Sequence, residues 1–328
     1  MKRRPVIAAV GLLAVAPWWP GGLAWSAADA RATSGRWRST LDGDHPLTGT
    51  IWSVADGRRV DEQALSNALR AARYRLLGEV HDNPDHHAIQ LDLLRRIAES
   101  GLRPAVAFEQ FDREHDAVLQ ERIVSGNATA EDVANAVRFD RRGWNWDFYW
   151  PLVDVALRNG MPLRATNLSS SAAGRIVKEG AQILGAARVA ALRLESVWSP
   201  ERERILRGVI FEGHCKALPE QVVPRMAFAQ RARDATLAET LRGAGPDGAV
   251  LIAGNGHVRR DLAVPLYLEA AGGPVCAVGI LEVEDGKQEL RDYFDSGASL
   301  PPVFDFVYYT PRWPRPDPCA GFKPRGTT

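Results

Sequence analysis

Several features that would assign the chain to a specialised class are scarce or missing from its 328 residues. No apolar run reaches the roughly 20 residues that a membrane-spanning helix needs, and three cysteines are too few for a disulfide framework. Basic and acidic side chains number 41 and 40, so the formal charge of +1 argues against a strongly basic nucleic-acid-binding module. There is no Gly-x-Ser-x-Gly or Walker motif and no Gly-x-Gly-x-x-Gly after a strand, so serine-hydrolase, nucleotide and dinucleotide sites have no support. The remaining composition, 45% hydrophobic and 25% charged, is ordinary for one or two globular domains.

The N-terminus has the order of a secretory signal peptide. Three basic residues follow the first methionine, an apolar run covers residues 6–16, and small residues cover 26–30. This order is typical of export signals, and the apolar run is too short for a membrane anchor. We predict a signal peptide over residues 1–28, cleaved after Ala28 or Ala30, and a protein exported to the periplasm by the general or the twin-arginine route. Loss of the three basic residues changes the formal charge from +1 to −2 (+1 − 3).

The rest of the chain divides into a leader segment over residues 29–48, an α/β domain over 49–310 and a proline-rich, irregular tail over 311–328. Short apolar runs alternate with amphipathic stretches across the domain, which predicts a mainly parallel sheet flanked by helices. Residues from about 170 to 245 have helical patterns almost throughout and predict a helical insertion or cap. An Asp-Gly turn predicts a hairpin between residues 50 and 60. The predicted strands are 74–77, 105–108, 163–165, 249–253, 275–283 and 303–310, and the predicted helices are 84–99, 112–124, 130–139, 152–158, 201–210, 225–241 and 262–270.

Acidic and histidine side chains directly follow three of the predicted strands. Glu79 and His81 come after the first, Glu109 after the second and His257 after a later one. Because ligands of parallel sheets bind beyond the carboxyl ends of the strands, these residues predict a site of general acid–base chemistry, or a divalent metal held by His81 and His257. A pair of histidines at 86–87 lies in the first turn of the next helix, where one of them is expected to be a solvated surface residue. For each residue alone, a hydrogen-bonded polar side chain at a strand end is the simpler alternative.

An aromatic segment at residues 143–152 contains three tryptophans, one phenylalanine and Tyr149. Such rings can simply pack in a core. Exposed together, they would form a flat apolar wall for a large planar ligand, with Tyr149 as an iron ligand of the phenolate type.

A third candidate segment joins His214 to Cys215. The pair suggests a metal or thiol site, but no second cysteine lies at the spacing of metal ligands. Cys276 and Cys319 are candidates for a disulfide with each other or with Cys215, and one of the three cysteines is left over.

Eight segments along the chain share the order and spacing of a known family. They are Gly78-Glu79-Val80-His81-Asp82-Asn83-Pro84, His86-His87, Glu109-Gln110-Phe111-Asp112, the aromatic segment at 143–152, Asn167-Leu168-Ser169, Gly213-His214-Cys215, Gln230-Arg231-Ala232-Arg233-Asp234 and Gly254-Asn255-Gly256-His257-Val258-Arg259-Arg260-Asp261. Together they resemble the ChaN-like family of the haem-binding uptake, Tiki superfamily, and the likeness covers about residues 50 to 285.

The resemblance implies an α/β fold and, in the ChaN branch, an exported, iron-regulated lipoprotein that binds haem at a dimer interface. Two haems stack face to face there, a tyrosine holds each iron, and a histidine of the partner subunit meets a propionate. By position these residues are Tyr149 and His214, so the implied cofactor is haem and the implied partner is a second copy of the chain. No cysteine lies near the predicted cleavage point, and this departure from the lipoprotein pattern predicts a member without a lipid anchor.

Two functions are compatible with these residues. The first is an exported haem-binding protein of iron or haem acquisition. The second is a metal-dependent or acid–base hydrolase that uses Glu79, His81, Glu109 and His257, because the Tiki proteases and erythromycin esterases of the same superfamily are similar in their strand-end residues. A scaffold protein whose strand-end residues are inactive is a third alternative. Neither a nucleic-acid partner nor a transmembrane segment in the mature chain is predicted.

Overall fold

The computed structural model describes residues 37–270, 272–294 and 300–320, so the predicted signal peptide lies outside the described residues. The strands among these residues are β1 (Ile51–Ser53), β2 (Arg58–Val60), β3 (Tyr74–Leu77), β4 (Ala105–Asp112), β5 (Leu163–Asn167), β6 (Ala249–Ile252), β7 (Val275–Glu282) and β8 (Phe306–Thr310). They form one sheet in the order β2-β1-β8-β7-β3-β6-β4-β5. The strands from β8 to β5 in this order run parallel, whereas β1 is antiparallel to β2 and β8. The predicted α/β class with a mainly parallel sheet is confirmed.

Helices connect most of these strands. In the described part of the chain they are α1 (Glu62–Ala71), α2 (Pro84–Glu99), α3 (Asp116–Val124), α4 (Ala130–Ala136), α5 (Trp146–Arg158), α6 (Ser170–Glu179), α7 (Gly185–Ala191), α8 (Pro200–Gly213), α9 (Val223–Arg242), α10 (Asn255–Val258), α11 (Val264–Glu269) and α12 (Leu290–Tyr293), with 3₁₀ turns at Arg113–His115 and Ala181–Leu184. In the same residues, no helix is long and apolar enough to cross a membrane.

β3 and α2 have the bounds that the sequence predicts, and the predicted hairpin is formed by β1 and β2. All four residues of β3 are buried because the strand lies between β7 and β6. The side chain of Asn83 accepts a hydrogen bond from the Asp85 N–H, and Pro84 follows at the first helical position, so α2 has a strong start signal. The loop between these two elements, which carries His81, is therefore fixed at both ends.

β4 and α5 are longer than predicted. β4 ends at Asp112, which still pairs with Asn167 of β5 after an irregularity in the register. α5 begins at Trp146 because Asn145 caps its first turn, and Pro151 lies inside the helix instead of at its start. As a result, the acidic end of β4 belongs to the sheet, and most of the aromatic segment is helical.

Helices cover both faces of the sheet. α1, α2 and α5 contribute to the apolar core on one face, and α6, α9 and α11 contribute to the core on the other. α8 packs against α9 in a smaller third cluster. The region from 170 to 245 is mainly helical, and its α6 and α9 lie in the layer that covers the sheet.

The tail crosses the carboxyl end of the sheet. Leu41 forms a β-bridge with Arg312. The Nη2 of Arg315 donates hydrogen bonds to Asp82 and Glu282, at 2.7 Å in each case. Since Asp82 belongs to the loop after β3, the tail is held beside the residues that the sequence predicts as the site.

A disulfide between Cys215 and Cys319 joins this tail to the segment after α8. Cys276 is buried and free. Of the pairings that the sequence leaves open, the structure therefore contains the one that connects the two most distant segments.

Reduction of this disulfide is expected to lower the free energy of unfolding by about 2–5 kcal/mol, because the bond joins residues 104 positions apart and restricts the unfolded chain. Urea unfolding with and without dithiothreitol measures the effect. The double variant Cys215→Ser/Cys319→Ser is the control: its midpoint should match that of the reduced wild type and should not respond to reductant. A wild-type midpoint that reductant leaves unchanged would contradict this role.

Candidate functional site

The carboxyl ends of β3, β6 and β4 lie side by side and bring the predicted acidic and histidine residues together. Glu79 and His81 are joined by a hydrogen bond of 2.8 Å, and Glu109 lies 3.1 Å from His257. The backbone N–H of Gly254 donates to Glu109 at 2.8 Å and so connects the end of β6 to that of β4. All four predicted strand-end residues thus belong to one cluster.

Glu79 is the buried centre of one half of this cluster, and its side chain has no exposed surface. Its Oε1 accepts hydrogen bonds from the Tyr149 hydroxyl at 2.7 Å and from Gln110 at 3.1 Å, besides the one from His81. Burial alone would raise the pKa of Glu79, but the neighbouring His87 and His81 and the hydrogen bonds from His81 and Tyr149 hold it below its ordinary value. Glu79 is therefore an ionised carboxylate that orients the groups around it.

His81 is the member of the cluster that a ligand can reach, because 22% of its side chain is exposed. Its Nδ1 donates to the carboxylate of Glu79, so the neutral imidazole has its lone pair on Nε2, whereas the protonated ring has an N–H there. Nε2 makes no hydrogen bond to any described residue and lies against Gly254, where an added Cβ would approach it to 2.9 Å. The edge of the ring meets Trp144, with 4.7 Å between the ring centres. Burial lowers the pKa of His81, but the hydrogen bond that His81 donates to Glu79 and the charge of Glu109 raise it overall.

His257 forms the other half of the cluster as a cation between two carboxylates. Its Nδ1 lies 2.6 Å from Asp234 and its Nε2 lies 3.1 Å from Glu109. Burial opposes the charge, but Glu109 and Asp234 raise the pKa of His257 to about 10. Burial also raises the pKa of Asp234, to about 6, whereas the charge of His257 outweighs burial at Glu109 and lowers its pKa. Both ring nitrogens of His257 are therefore occupied.

Asp234 and Gln230 belong to the site although the sequence assigned no role to them. They lie one helical turn apart on α9, and Gln230 places its amide 3.2 Å from Nδ1 of His257. The signal in the sequence that could have indicated them is their spacing of four residues, which places both side chains on one face of a helix. Which strand end that face meets depends on packing between distant segments.

The histidines at the start of α2 are structural, and the expectation that one of them is solvated is wrong. His86 is completely buried: it accepts from the Val80 N–H at 2.8 Å and bonds the Thr310 hydroxyl at 2.9 Å, and burial holds its pKa well below the ordinary value. His87 is 2% exposed and stacks on Phe148. Both rings fill space behind the loop that carries the site.

Tyr149 does not lie on an exposed aromatic wall. It is completely buried and donates its hydroxyl to Glu79. Burial and the charge of Glu79 raise the pKa of Tyr149 well above its ordinary value, which disfavours the phenolate that binds iron. Iron ligation by Tyr149 stays a prediction, and in this conformation it would require the ring to leave the core. Of its aromatic neighbours, Trp144, Trp146 and Phe148 are half-buried.

His214 lies apart from the cluster. It follows α8, its Nδ1 donates to the Ile210 carbonyl at 2.7 Å, and it precedes the disulfide-bonded Cys215. No hydrogen bond among the described residues joins it to Glu79 or Glu109. Its predicted contact with a propionate stays a prediction.

The structure gives no support to a divalent metal on His81 and His257. Each nitrogen of His257 faces a carboxylate, so neither offers a lone pair. Within the described ranges, no group of three or more histidine, cysteine, aspartate or glutamate side chains is arranged to hold a metal ion.

Comparisons with known proteins agree with this fold. Residues 65–268 match the sequence profile described as haem-binding uptake, Tiki superfamily, ChaN. The fold is similar to that of ChaN of Campylobacter jejuni, in a structure that shows cofacial heme binding, with a TM-score of 0.63, 20% sequence identity, and coverage of 79% of this chain and 95% of that one.

More distant similarities extend to the erythromycin esterase EreC, with a TM-score of 0.40, 13% identity and coverage of 78% and 82% of the two chains. The type III effector HopBA1 has a TM-score of 0.39, 11% identity and coverage of 75% and 91%. No curated protein sequence matches the chain. The profile match spans more than half of the sequence, and the chain belongs to the ChaN family of haem-binding uptake proteins in the Tiki superfamily.

Proposed function

We propose that this protein is an exported haem-binding protein of haem or iron acquisition and that His81 is its iron ligand. Membership of the ChaN family supports haem as the ligand. The observation that carries the residue assignment is Nε2 of His81, which bonds no described residue and belongs to an imidazole that is both reachable and held in place.

The surroundings of His81 fit the donor chemistry of haem iron. A histidine that ligates a metal commonly donates its other ring N–H to a carboxylate, and Glu79 accepts that bond here. The half-buried ring of Trp144 supplies apolar aromatic surface beside this imidazole. Bound haem would supply the iron and its absorption bands, while the protein orients the imidazole through Glu79.

Titration of the purified protein with hemin tests the proposed function. We expect a saturable Soret band that is shifted from that of free hemin, and the saturation point measures how many haems each chain binds. Sedimentation of the loaded protein shows whether two chains assemble, as proposed from the family resemblance. Absorption that increases linearly without saturation would contradict haem binding.

Export is part of the proposal. The order of charged, apolar and small residues before Ala30 supports it, and so does the Cys215–Cys319 disulfide, because such bonds persist in oxidising compartments. The mass of protein recovered from a periplasmic extract should correspond to cleavage after Ala28 or Ala30. Full-length protein confined to the cytoplasm would contradict this part.

An acid–base hydrolase is the second candidate, and one observation favours it. Nε2 of His81 and the carboxylate of Glu109 both border Gly254, and Glu109 is paired with the cationic His257. In such a reaction His81 would be the base that activates water, and the cationic His257 would be the acid that protonates the leaving group. Hydrolysis of ester and peptide panels that His81→Ala and His257→Ala each abolish would support this function. Activity that survives both substitutions would exclude these roles.

A further inference from the structure

Arg233 is a buried cation without a carboxylate partner. It lies on α9 directly before Asp234, and only 7% of its surface is exposed. Its Nη2 donates to the Ser170 hydroxyl at 3.3 Å, and no other hydrogen bond or ion pair to a described residue involves its side chain. By contrast, Arg231 on the same helix pairs with Glu203 at 3.3 Å. Because a buried charge without a counterion is costly, Arg233 has the properties of a group that binds an anion.

Arg233 influences two acidic residues, Asp112 and Asp234, without forming an ion pair with either. Its charge lowers the pKa of both carboxyls, so burial raises these pKa values less than it otherwise would. Asp234 bonds His257 instead. The positive charge of Arg233 is therefore not cancelled by a close ion pair within the described chain.

Solvent reaches this guanidinium, because the nitrogens of Arg233 that have no protein partner are not completely buried. Its one partner, Ser170, is the first residue of α6, and the backbone N–H groups of Ser170 and Ser171 donate to no described residue. A helix N-terminus attracts anions through such free N–H groups.

We propose that Arg233 and the first turn of α6 form a carboxylate-binding corner beside the cluster of Glu109 and His257. This inference rests on the proposed function, because it assigns the ligand's carboxylate to a part of the same site. Two sources of that carboxylate fit: a propionate of haem, or an acidic group of a hydrolysable substrate. In both cases Arg233 binds and orients the ligand through charge-assisted hydrogen bonds.

Hemin and its dimethyl ester distinguish the first source, because the ester lacks both propionate charges. We expect the wild type to bind hemin about tenfold or more tightly than the ester, in line with a charge-assisted hydrogen bond worth about 1.5–3 kcal/mol. Arg233→Gln should bind the two equally, and Ser170→Ala, a change at an exposed position, should reduce the preference. Arg142→Gln is the matched control, since Arg142 is an exposed arginine outside this corner. Equal binding of hemin and ester by the wild type would exclude a propionate at this corner.

A second measurement keeps this inference separate from haem binding. Thermal unfolding in sodium benzoate, compared with sodium chloride at the same ionic strength, reports on a carboxylate site without haem. A melting temperature that benzoate raises in the wild type and in Arg142→Gln, but not in Arg233→Gln, would support the corner even if hemin does not bind, and the carboxylate would then belong to a substrate. The absence of a benzoate effect in the wild type, together with equal binding of hemin and its ester, would overturn the inference while leaving haem binding intact.

Discussion

Replacement of His81 by alanine is expected to reduce hemin affinity by about 100-fold or more and to remove the shifted Soret band. Removal of a side chain that only hydrogen-bonds a metal ligand typically lowers the affinity for the metal about 10–100-fold. His81 is proposed as the ligand itself, so we expect its loss to have at least the upper part of this effect. Its Nε2 is partly accessible and bonds no described residue, whereas both nitrogens of His257 face carboxylates and His87 is buried. Spectroscopic titration of both proteins under the same conditions measures the difference.

Two further variants make this result specific. His115→Ala removes a half-buried histidine outside the cluster and should bind hemin as the wild type does. Tyr149→Phe removes the hydroxyl that bonds Glu79 but leaves the ring, and should retain most of the affinity. If Tyr149→Phe eliminates binding and His81→Ala does not, the tyrosine is the ligand and the ring must leave its buried position to reach iron.

Replacement of His257 by alanine is expected to lower the free energy of unfolding by about 3–5 kcal/mol. Removal of one partner of a buried ion pair has this cost because the remaining charge stays buried without compensation. Here two carboxylates, Glu109 and Asp234, would remain at positions that are 5% and 1% exposed. Urea unfolding at pH 7 measures the loss, with His115→Ala as the control. A midpoint equal to that of the wild type would show that the cation between these carboxylates does not stabilise the fold.

The same pairing predicts how stability depends on pH. The pKa of His257 is about 10 in the folded chain, above its ordinary value of 6.5. A raised pKa stabilises the fold fully below the ordinary value, and the stabilisation is lost as the pH increases toward the folded value. Between pH 7 and pH 10 the wild type should therefore lose more unfolding free energy than His257→Gln. Parallel pH profiles of the two proteins would contradict the proposed charge state.

Local signals in the sequence were sufficient to predict the centre of the fold. The strand at Tyr74–Leu77 is a continuous apolar run, and the helix at Pro84–Glu99 starts with a capping asparagine and a proline. These signals depend on neighbouring residues alone, so they place His81 at a strand end without tertiary information. The convergence of Glu79, Glu109 and His257 then follows because parallel strands end at the same edge of a sheet.

The contributions of distant segments could not be predicted in this way. Asp234 and Gln230 reach His257 only because α9 packs across the sheet, and helical spacing does not specify which strand end the helix meets. Tyr149 carries an aromatic ring that is equally suited to a core and to a binding surface, and its burial is decided by the hydrogen bond to Glu79 and by packing beside His87. The tail is held by Arg315 and by a disulfide. The pairing in this disulfide could not be predicted, because three cysteines allow three different pairs.

The identity of the residue that binds the haem iron is the most direct test of this account. Resonance Raman spectra of the ferric wild-type complex identify that residue. We predict no bands of an iron-bound phenolate, and we predict that the spectrum of Tyr149→Phe is the same as that of the wild type while that of His81→Ala is different. Phenolate bands in the wild type that disappear in Tyr149→Phe would contradict the assignment of His81.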